Sequence, residues 1–324
     1  MLLAILLLIL GFVILIVGAD YFVDGASSVA LNFKVSKMLI ALTIVAFGTS
    51  APEFAVSIQS IFQGSGDILL GNVIGSNILN ILLILGLSSV IYPLKIKSAT
   101  IKKEMPMLLL ISTILFVVTL DTFFDPNTVN MITRSDGIII TIYFTVFIYY
   151  LISIMRNKKE DKEEAKYKLG KSIIITLLGL MAIVFGSNLV VNNSVLVAQK
   201  LGVSERLISL TIVAFGTSLP ELITSVVACI KKENDIAIGN IVGSNIFNIC
   251  IVLGLPIAIF GGITPSGFST IDVAMLLLSA VILYIFAYSK QIISRKEGII
   301  MLLLFVVYYA YVIEGGLVWK ILKN

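Results

Sequence analysis

Residues 40–53 read IALTIVAFGTSAPE, and residues 208–221 read ISLTIVAFGTSLPE. These 14-residue segments differ at two positions, and their numbering is offset by 168. Downstream, GNVIGSN at 71–77 is answered by GNIVGSN at 239–245, at the same offset. Asp67 maps onto Asp235 and Asn80 onto Asn248 in the same way, so no insertion separates the motifs in either copy. A weaker echo, RSDG from Arg134 and RKEG from Arg295, has the smaller offset of 161, so the second copy is shorter beyond its third helix. The chain is an internal duplication.

Composition sets the solvent of that duplication. Of 324 residues, 58% are hydrophobic and 13% charged, and the mean hydropathy is +1.08. Soluble domains are about 25% charged, so a water-soluble enzyme with ordinary cores is excluded, as is a disordered chain. The chain reads as an integral membrane protein. There is no histidine, which removes the usual proton shuttle and the commonest metal ligand. Cys229 and Cys250 both lie in apolar segments and read as small buried hydrophobes, supporting neither a disulfide framework nor a zinc site.

A spanning helix needs about 20 mainly apolar residues. By that measure ten candidates stand at 2–32, 37–62, 68–92, 105–120, 137–155, 172–199, 205–230, 236–261, 271–289 and 298–318, the fourth being the shortest. No Lys or Arg precedes Lys34, so the first segment lacks the basic region of a signal peptide and is expected to be retained. The expected architecture is all-α and polytopic. Residues 1–155 form the first five-helix repeat, 156–171 a charged linker, and 172–324 the second repeat.

Charge placement supplies the sidedness. With the N-terminus outside, eighteen of the twenty-three Lys and Arg side chains fall in cytoplasmic loops and the linker. The positive-inside rule therefore puts both termini extracellular or periplasmic and the linker in the cytoplasm of a cell-membrane protein. Five helices per copy is an odd number, so the second copy enters the membrane upside down. Inverted repeats are the architecture of alternating-access carriers, with the substrate site at the midplane between them.

Glu53 and Glu221 stand inside the second and seventh candidates. An ionisable group at that depth costs several kcal/mol unless paired or solvated. No Lys or Arg lies centrally in any candidate helix, so an incoming cation is the simplest partner. Pro52 and Pro220 precede the glutamates, and a helix-interior proline leaves the carbonyl four residues back, at Gly48 and Gly216, without its donor. Thr49 and Ser50 are expected to share the face of Glu53, and Thr217 and Ser218 that of Glu221. Asn72, Ser76 and Asn80 recur at i, i+4 and i+8, as do Asn240, Ser244 and Asn248, which aligns each set along one face. Gly71 with Gly75, and Gly239 with Gly243, make small-xxx-small pairs that permit close helix approach.

Two carboxylates with amide, hydroxyl and carbonyl oxygens form an all-oxygen site, suited to hard cations such as Ca²⁺ or Na⁺. Two negative charges neutralise one Ca²⁺ or two monovalent ions, a physical basis for exchange. Asp20 and Asp24 map onto Asn188 and Asn192, so charge is not required in both copies and a cavity-mouth position is expected. Asp67, Asp235 and Asp121 read as loop or helix-end groups.

GTSAPE and GTSLPE, each followed by the GN..GSN motif, resemble the paired alpha-repeats of the sodium/calcium exchanger family, in the compact prokaryotic form without a large regulatory insertion. The resemblance implies that Glu53 and Glu221 bind calcium with Thr49 and Thr217. It implies sodium sites at Ser50, Ser218, Ser76 and Ser244 with the backbone oxygens of Ala46 and Ala214, and a central position completed by Asn80 and Asn248. Potassium-dependent relatives carry aspartate where Asn248 stands, so potassium independence is expected. It also implies sliding of the first and sixth helices, read as Gly-interrupted near Gly18 and Gly186, across the other eight.

The leading expectation is a secondary antiporter exporting Ca²⁺ against inward Na⁺ across the lipid bilayer, needing no cofactor, protein partner or nucleic acid and working as a monomer. The rival within transport is H⁺/Ca²⁺ exchange on the same glutamate pair. A channel fits inverted repeats poorly. An intramembrane hydrolase has nothing to activate a nucleophile, so an enzyme is not expected.

Overall fold

The computed structural model describes residues 1–125, 127–156, 164–201, 214–265 and 270–322. Its helices are α1 Leu2–Phe33, α2 Lys37–Thr49 and α3 Ala51–Phe62, α4 Gly66–Ile91, α5 Ser98–Lys102, α6 Glu104–Val118, α7 Asp121–Phe124 and α8 Arg134–Arg156. The second copy supplies α9 Leu169–Lys200, α10 Ala214–Gly216, α11 Leu219–Ile230, α12 Asn234–Phe260, α13 Thr270–Lys290 and α14 Arg295–Leu322. Linker residues 157–163, and residues 205–213 of the seventh candidate span, lie outside the described residues.

Among the described residues seven helices are long and apolar enough to cross a bilayer, or eight if α2 and α3 count as one bent span. The sequence reading expects ten. The fourth candidate forms α6, whose 15 residues reach about 22 Å against a hydrocarbon core of about 30 Å. The described part of the seventh is the short α10 followed by the 12-residue α11. The protein is a multi-pass membrane protein.

The core is α4 and α12, whose apolar windows are 72% and 78% buried. Each is gripped by helices of both copies. Helix α3 lies against α4 and the C-terminal half of α12, while α11 lies against α12 and the C-terminal half of α4. Likewise α8 packs on α12 and α14 on α4, and α6 meets α13. The copies are interlaced rather than placed side by side.

The RSDG and RKEG echo acquires a physical meaning here. Asp136 accepts the Thr133 backbone N–H at 2.8 Å and Glu297 accepts that of Ser294 at 2.7 Å, so each acid caps its own helix start. Arg134 donates to the carbonyls of Ala258 and Ile259 near the C-terminal end of α12, at 2.8 and 2.6 Å. Arg295 does the same to Ile91 at the end of α4, at 3.4 Å. Gly137 and Gly298 sit at the contact itself. A Cβ there would lie 2.7 Å from Ile257 Cγ2 and 2.7 Å from the Gly86 carbonyl respectively.

Outside this core lies a two-helix unit. Helices α1 and α9 run antiparallel along their length, Gly11 facing Leu189 and Val190, Gly18 facing Ala182, and Gly25 facing Thr176. A Cβ on Gly179 would lie 2.7 Å from the Phe22 amide nitrogen, and one on Gly186 would lie 2.8 Å from that of Leu15. Both helices are continuous over 32 residues. This corrects the expectation that Gly18 and Gly186 interrupt them: the glycines remove side chains where two backbones touch. The outward faces carry Leu6, Ile9, Val13 and Ile16 on α1, and Ile174, Leu177, Met181 and Phe185 on α9, all exposed as lipid-facing side chains are.

Loops expected on the same side of the membrane meet one another. Leu94–Lys95 pairs antiparallel with Ile292–Ile293, and on the other side Ile132 bridges Ile263. Lys231 reaches Asp20 at 2.8 Å and Asp24 at 2.6 Å, while Lys166 of the linker reaches Asp24 at 2.5 Å. Asp20 and Asp24 thus take part in ion pairs with Lys231 and Lys166. Asp67 and Asp235 lie in the first turns of α4 and α12, and Asp121 opens α7.

Candidate functional site

The signature segments do not run on as helix. Ser50 adopts φ −82° and ψ 8° between α2 and α3, which are bent by 48° to one another. Ser218 adopts φ −89° and ψ 8° ahead of α11. Pro52 and Pro220 occupy the first turns of the new helices, where a missing N–H costs nothing. This corrects the reading of them as helix-interior prolines. It also overturns the expectation that Thr49 and Ser50 share the face of Glu53, because i, i+3 and i+4 neighbours align only within one unbroken helix.

The break redirects the hydroxyls across the duplication. Ser50 Oγ donates to Glu221 Oε1 at 2.8 Å, and Ser218 Oγ donates to Glu53 Oε1 at 3.0 Å. Thr49 sits against the Glu221 carboxylate and Thr217 against that of Glu53. Thr49 Oγ1 also donates to the side-chain oxygen Asn240 Oδ1 at 3.0 Å. Each carboxylate therefore lies beside hydroxyls of the opposite copy.

Ser244 completes one corner. Its hydroxyl lies 3.5 Å from Glu221 Oε1 and 3.4 Å from the Ala46 carbonyl. Ala46, Ser50, Ser244 and Glu221 thus form one oxygen cluster, which brings together four of the residues singled out in the sequence. Ser76, at the corresponding place in the first copy, is buried. Ala214 opens α10, and its side chain lies outside the described set.

Asn80 and Asn248 face one another's copies. Asn80 Nδ2 donates to Asn245 Oδ1 at 2.9 Å, and Asn248 Nδ2 to Asn77 Oδ1 at 3.2 Å. They stand in π-helical stretches, Leu79–Leu85 and Asn248–Gly254. Such widened turns are frequent at functional sites. Asn72 and Asn240 play a different part. Asn72 Nδ2 braces the Glu53 backbone carbonyl at 2.9 Å and Ser57 Oγ at 3.1 Å, and Asn240 Nδ2 does so for Glu221 and Ser225 at 3.5 and 2.9 Å.

Four residues of this set escape the sequence reading. Ser57 and Ser225 each lie one turn after a glutamate and correspond at the offset of the two copies, so the duplication marks them. Asn77 and Asn245 end the GN..GSN motifs, but nothing local shows what they bond. The freed carbonyls also need correction: that of Gly216 accepts from Ser187 Oγ of α9 at 3.1 Å, so a neighbouring hydroxyl replaces the donor that proline lacks. The Ala46 carbonyl likewise accepts the Ser50 backbone N–H at 3.1 Å.

Burial makes the cluster unusual. Glu53 is 1% exposed and Glu221 fully buried, as are Asn80 and Asn248. Among the described residues, the ion pairs all lie elsewhere. Glu53 Oε2, Glu221 Oε2, Asn80 Oδ1 and Asn248 Oδ1 each have no hydrogen-bond partner. A buried acceptor without a donor costs about 1–3 kcal/mol, and more when charged. These four oxygens, two from each copy and two of them carboxylate, are of the type that hard cations take as ligands. Among the described residues no group of three or more Asp, Glu, Cys and His side chains is placed to hold a metal.

Known proteins resemble the chain along nearly its whole length. The family model described as sodium/calcium exchanger protein matches residues 3–153 and 171–314, leaving out little more than the charged linker. The chain is 37% identical over 320 residues to a putative antiporter, CaxA, of Alkalimonas amylolytica, covering 95% of this chain and 98% of that one. It is 32% identical over 341 residues to the sodium/calcium exchanger MaX1 of Methanosarcina acetivorans, covering 94% and 96%. Its fold is similar to the solved structure of the sodium-calcium exchanger NCX_Mj, with a TM-score of 0.82, 32% identity, and 95% and 98% of the two chains covered. With both copies matched by one family model and relatives aligned almost end to end, the chain belongs to the sodium/calcium exchanger family.

Proposed function

We propose that this protein is a secondary antiporter that exchanges Na⁺ for Ca²⁺ by alternating access, exporting Ca²⁺ and requiring no K⁺. The observation that carries the reading is the quartet of buried, unpartnered oxygens on Glu53, Glu221, Asn80 and Asn248. Ca²⁺ favours six to eight oxygen ligands and two compensating charges. Glu53 and Glu221 supply the charges, with Thr49 and Thr217 beside them. Na⁺ is held instead by the corner clusters, Ser50, Ser244, the Ala46 carbonyl and Glu221 in one, and Ser218, Ser76, the Ala214 carbonyl and Glu53 in its mirror. Both loads neutralise the same two carboxylates, so they compete. The amide at Asn248 adds no third charge, which favours K⁺ independence.

In this reading residues 1–155 and 172–324 are inverted five-helix repeats in the cell membrane, joined by the cytoplasmic linker 156–171, with both termini outside. The antiparallel α1–α9 pair and the crossed serine–glutamate bonds support the inversion. The α1–α9 unit is the moving part, because its two helices grip each other through glycine contacts and carry lipid-facing outer surfaces. An empty site leaves two uncompensated carboxylates and reorients poorly, which enforces exchange over leak.

The test is uptake of radiolabelled Ca²⁺ into Na⁺-loaded proteoliposomes diluted into Na⁺-free buffer, with and without K⁺. Uptake that requires internal Na⁺, ignores K⁺ and is lost in Glu53→Gln and Glu221→Gln is the expected result. Uptake that follows a pH gradient instead would move the protein to H⁺/Ca²⁺ exchange. No Ca²⁺ flux under either gradient would overturn calcium as its cargo.

A further inference from the structure

We propose that Asn77 and Asn245, the last residues of the two GN..GSN motifs, are positioning residues that make Asn80 and Asn248 present oxygen rather than nitrogen to the transported cation. This rests on the reading of Glu53, Glu221, Asn80 and Asn248 as the cation site. A side-chain amide offers two chemically opposite ends of nearly equal shape. Turned the wrong way, an asparagine would aim a donor NH₂ at a cation. Something must therefore fix the turn.

The four amides form a relay anchored in backbone. Asn77 Nδ2 donates to the Asn245 backbone carbonyl at 3.3 Å, and Asn245 Nδ2 donates to that of Asn77 at 3.3 Å. A main-chain carbonyl can only accept, so each of these amides is fixed with nitrogen outward to the partner copy. Its Oδ1 is then the end left for the next residue. Asn77 Oδ1 accepts from Asn248 Nδ2 at 3.2 Å, and Asn245 Oδ1 accepts from Asn80 Nδ2 at 2.9 Å. With their nitrogens held, Asn248 and Asn80 are left with Oδ1 as the free end, and those are the two amide oxygens without partners. All four side chains are at most 1% exposed, so water cannot substitute for a lost link. A flipped Asn248 would oppose its oxygen to Asn77 Oδ1 and turn a donor toward the site, an unfavourable contact at both ends.

The experiment is a double-mutant cycle on Ca²⁺ affinity in the purified full-length protein, read by radiolabelled Ca²⁺ binding without Na⁺. Asn77→Ala, Asn248→Ala and the double variant are compared with the parent and with Glu53→Gln. Removing a partner that orients a metal ligand typically costs about 10- to 100-fold in affinity, so Asn77→Ala is expected to weaken binding by that order. Because it acts only through Asn248, the double variant should bind no worse than Asn248→Ala alone. Thermal unfolding without ion checks each fold, and the mirror pair Asn245→Ala with Asn80→Ala replaces the first if Asn77→Ala does not fold. Losses that multiply, or a single Asn77→Ala variant that binds like the parent while Glu53→Gln does not, would overturn the positioning role alone. Binding that is indifferent to Glu53→Gln, or a parent that binds neither Ca²⁺ nor Na⁺, would overturn the site reading beneath it.

Discussion

Ser50 stands three residues before Glu53 in the chain but gives its hydrogen bond to Glu221, 171 residues away, at 2.8 Å. Ser218 returns the bond to Glu53 at 3.0 Å. The two glutamates are therefore not independent local features. Each is held by a hydroxyl of the other copy, so a change in how the copies sit alters both carboxylates together.

This crossing is measurable as coupling. A hydrogen bond to a charged acceptor is worth about 1.5–3 kcal/mol, and Ser50→Ala should lower stability by that order while Glu221 is ionised. In thermal unfolding without ion, Ser50→Ala and Glu221→Gln should be strongly non-additive. Ser50→Ala and Glu53→Gln, which are linked only through Glu221, should be less strongly coupled than that pair. The reverse pattern would mean that Ser50 serves its own copy.

Ion removal has an expected sign. A cation bound only to the folded state stabilises by about 2.7 kcal/mol at a hundredfold excess over its dissociation constant. Adding Ca²⁺ to Na⁺-free protein should raise Tm, and a chelator should reverse the rise. Glu221→Gln should remove the response and unfold at higher temperature than the ion-free parent, because it relieves an uncompensated buried charge. A variant less stable than the ion-free parent would argue against such a charge.

The glycines of α1 and α9 separate motion from binding. A Cβ at Gly186 would come within 2.8 Å of the Leu15 amide nitrogen and 2.9 Å of the Gly11 carbonyl. Gly186→Val should push the pair apart at a cost of about 1–3 kcal/mol. Exchange in proteoliposomes should fall at least tenfold while Ca²⁺ binding to the purified protein stays near the parent value, since the quartet lies on other helices. Loss of both would tie α9 to the site itself.

Late in α1, Asp24 lies between Lys231 and Lys166. Its carboxylate holds the exposed Lys166 ammonium protonated above the ordinary lysine range, its hydrogen bond being the main cause. A raised folded-state pKa gives stability that is fully present below the unfolded value and lost as pH rises through the folded one. Stability between pH 6 and 9 should therefore not depend on Lys166 titration. Lys166→Ala should cost at most about 1 kcal/mol, as exposed pairs do. A Tm that fell between pH 7 and 9 in the parent alone would contradict this assignment.

Much of this site is legible in the chain. The duplication marks Glu53, Glu221, Ser50, Ser218, Ser244, Asn80 and Asn248, and each described one falls at the centre. What the chain does not show is geometry across a break. Continuing the helix through Pro52 puts Ser50 beside Glu53, whereas proline in a first turn marks a new helix as readily as a kink in an old one. Gly18 and Gly186 suggest interruptions because an isolated glycine looks the same whether it breaks a helix or packs one. Asn77 and Asn245 carry no local sign of their role because their partners lie on another helix.

The sequence by itself determined the solvent, the duplication and the candidate ligand chemistry: an apolar chain with two carboxylates deep in repeated apolar segments, no histidine and a set of amide and hydroxyl oxygens repeated at one constant offset. Those properties are local, since hydropathy, motif spacing and residue type need no knowledge of contacts. Only the tertiary structure decided which serine serves which glutamate, which amides are held by which, and which oxygens of those groups are left without a partner. Those facts depend on how α4 and α12 are gripped by both copies, with hydrogen bonds spanning 165 to 171 residues. No periodicity within one helix records a partner on another.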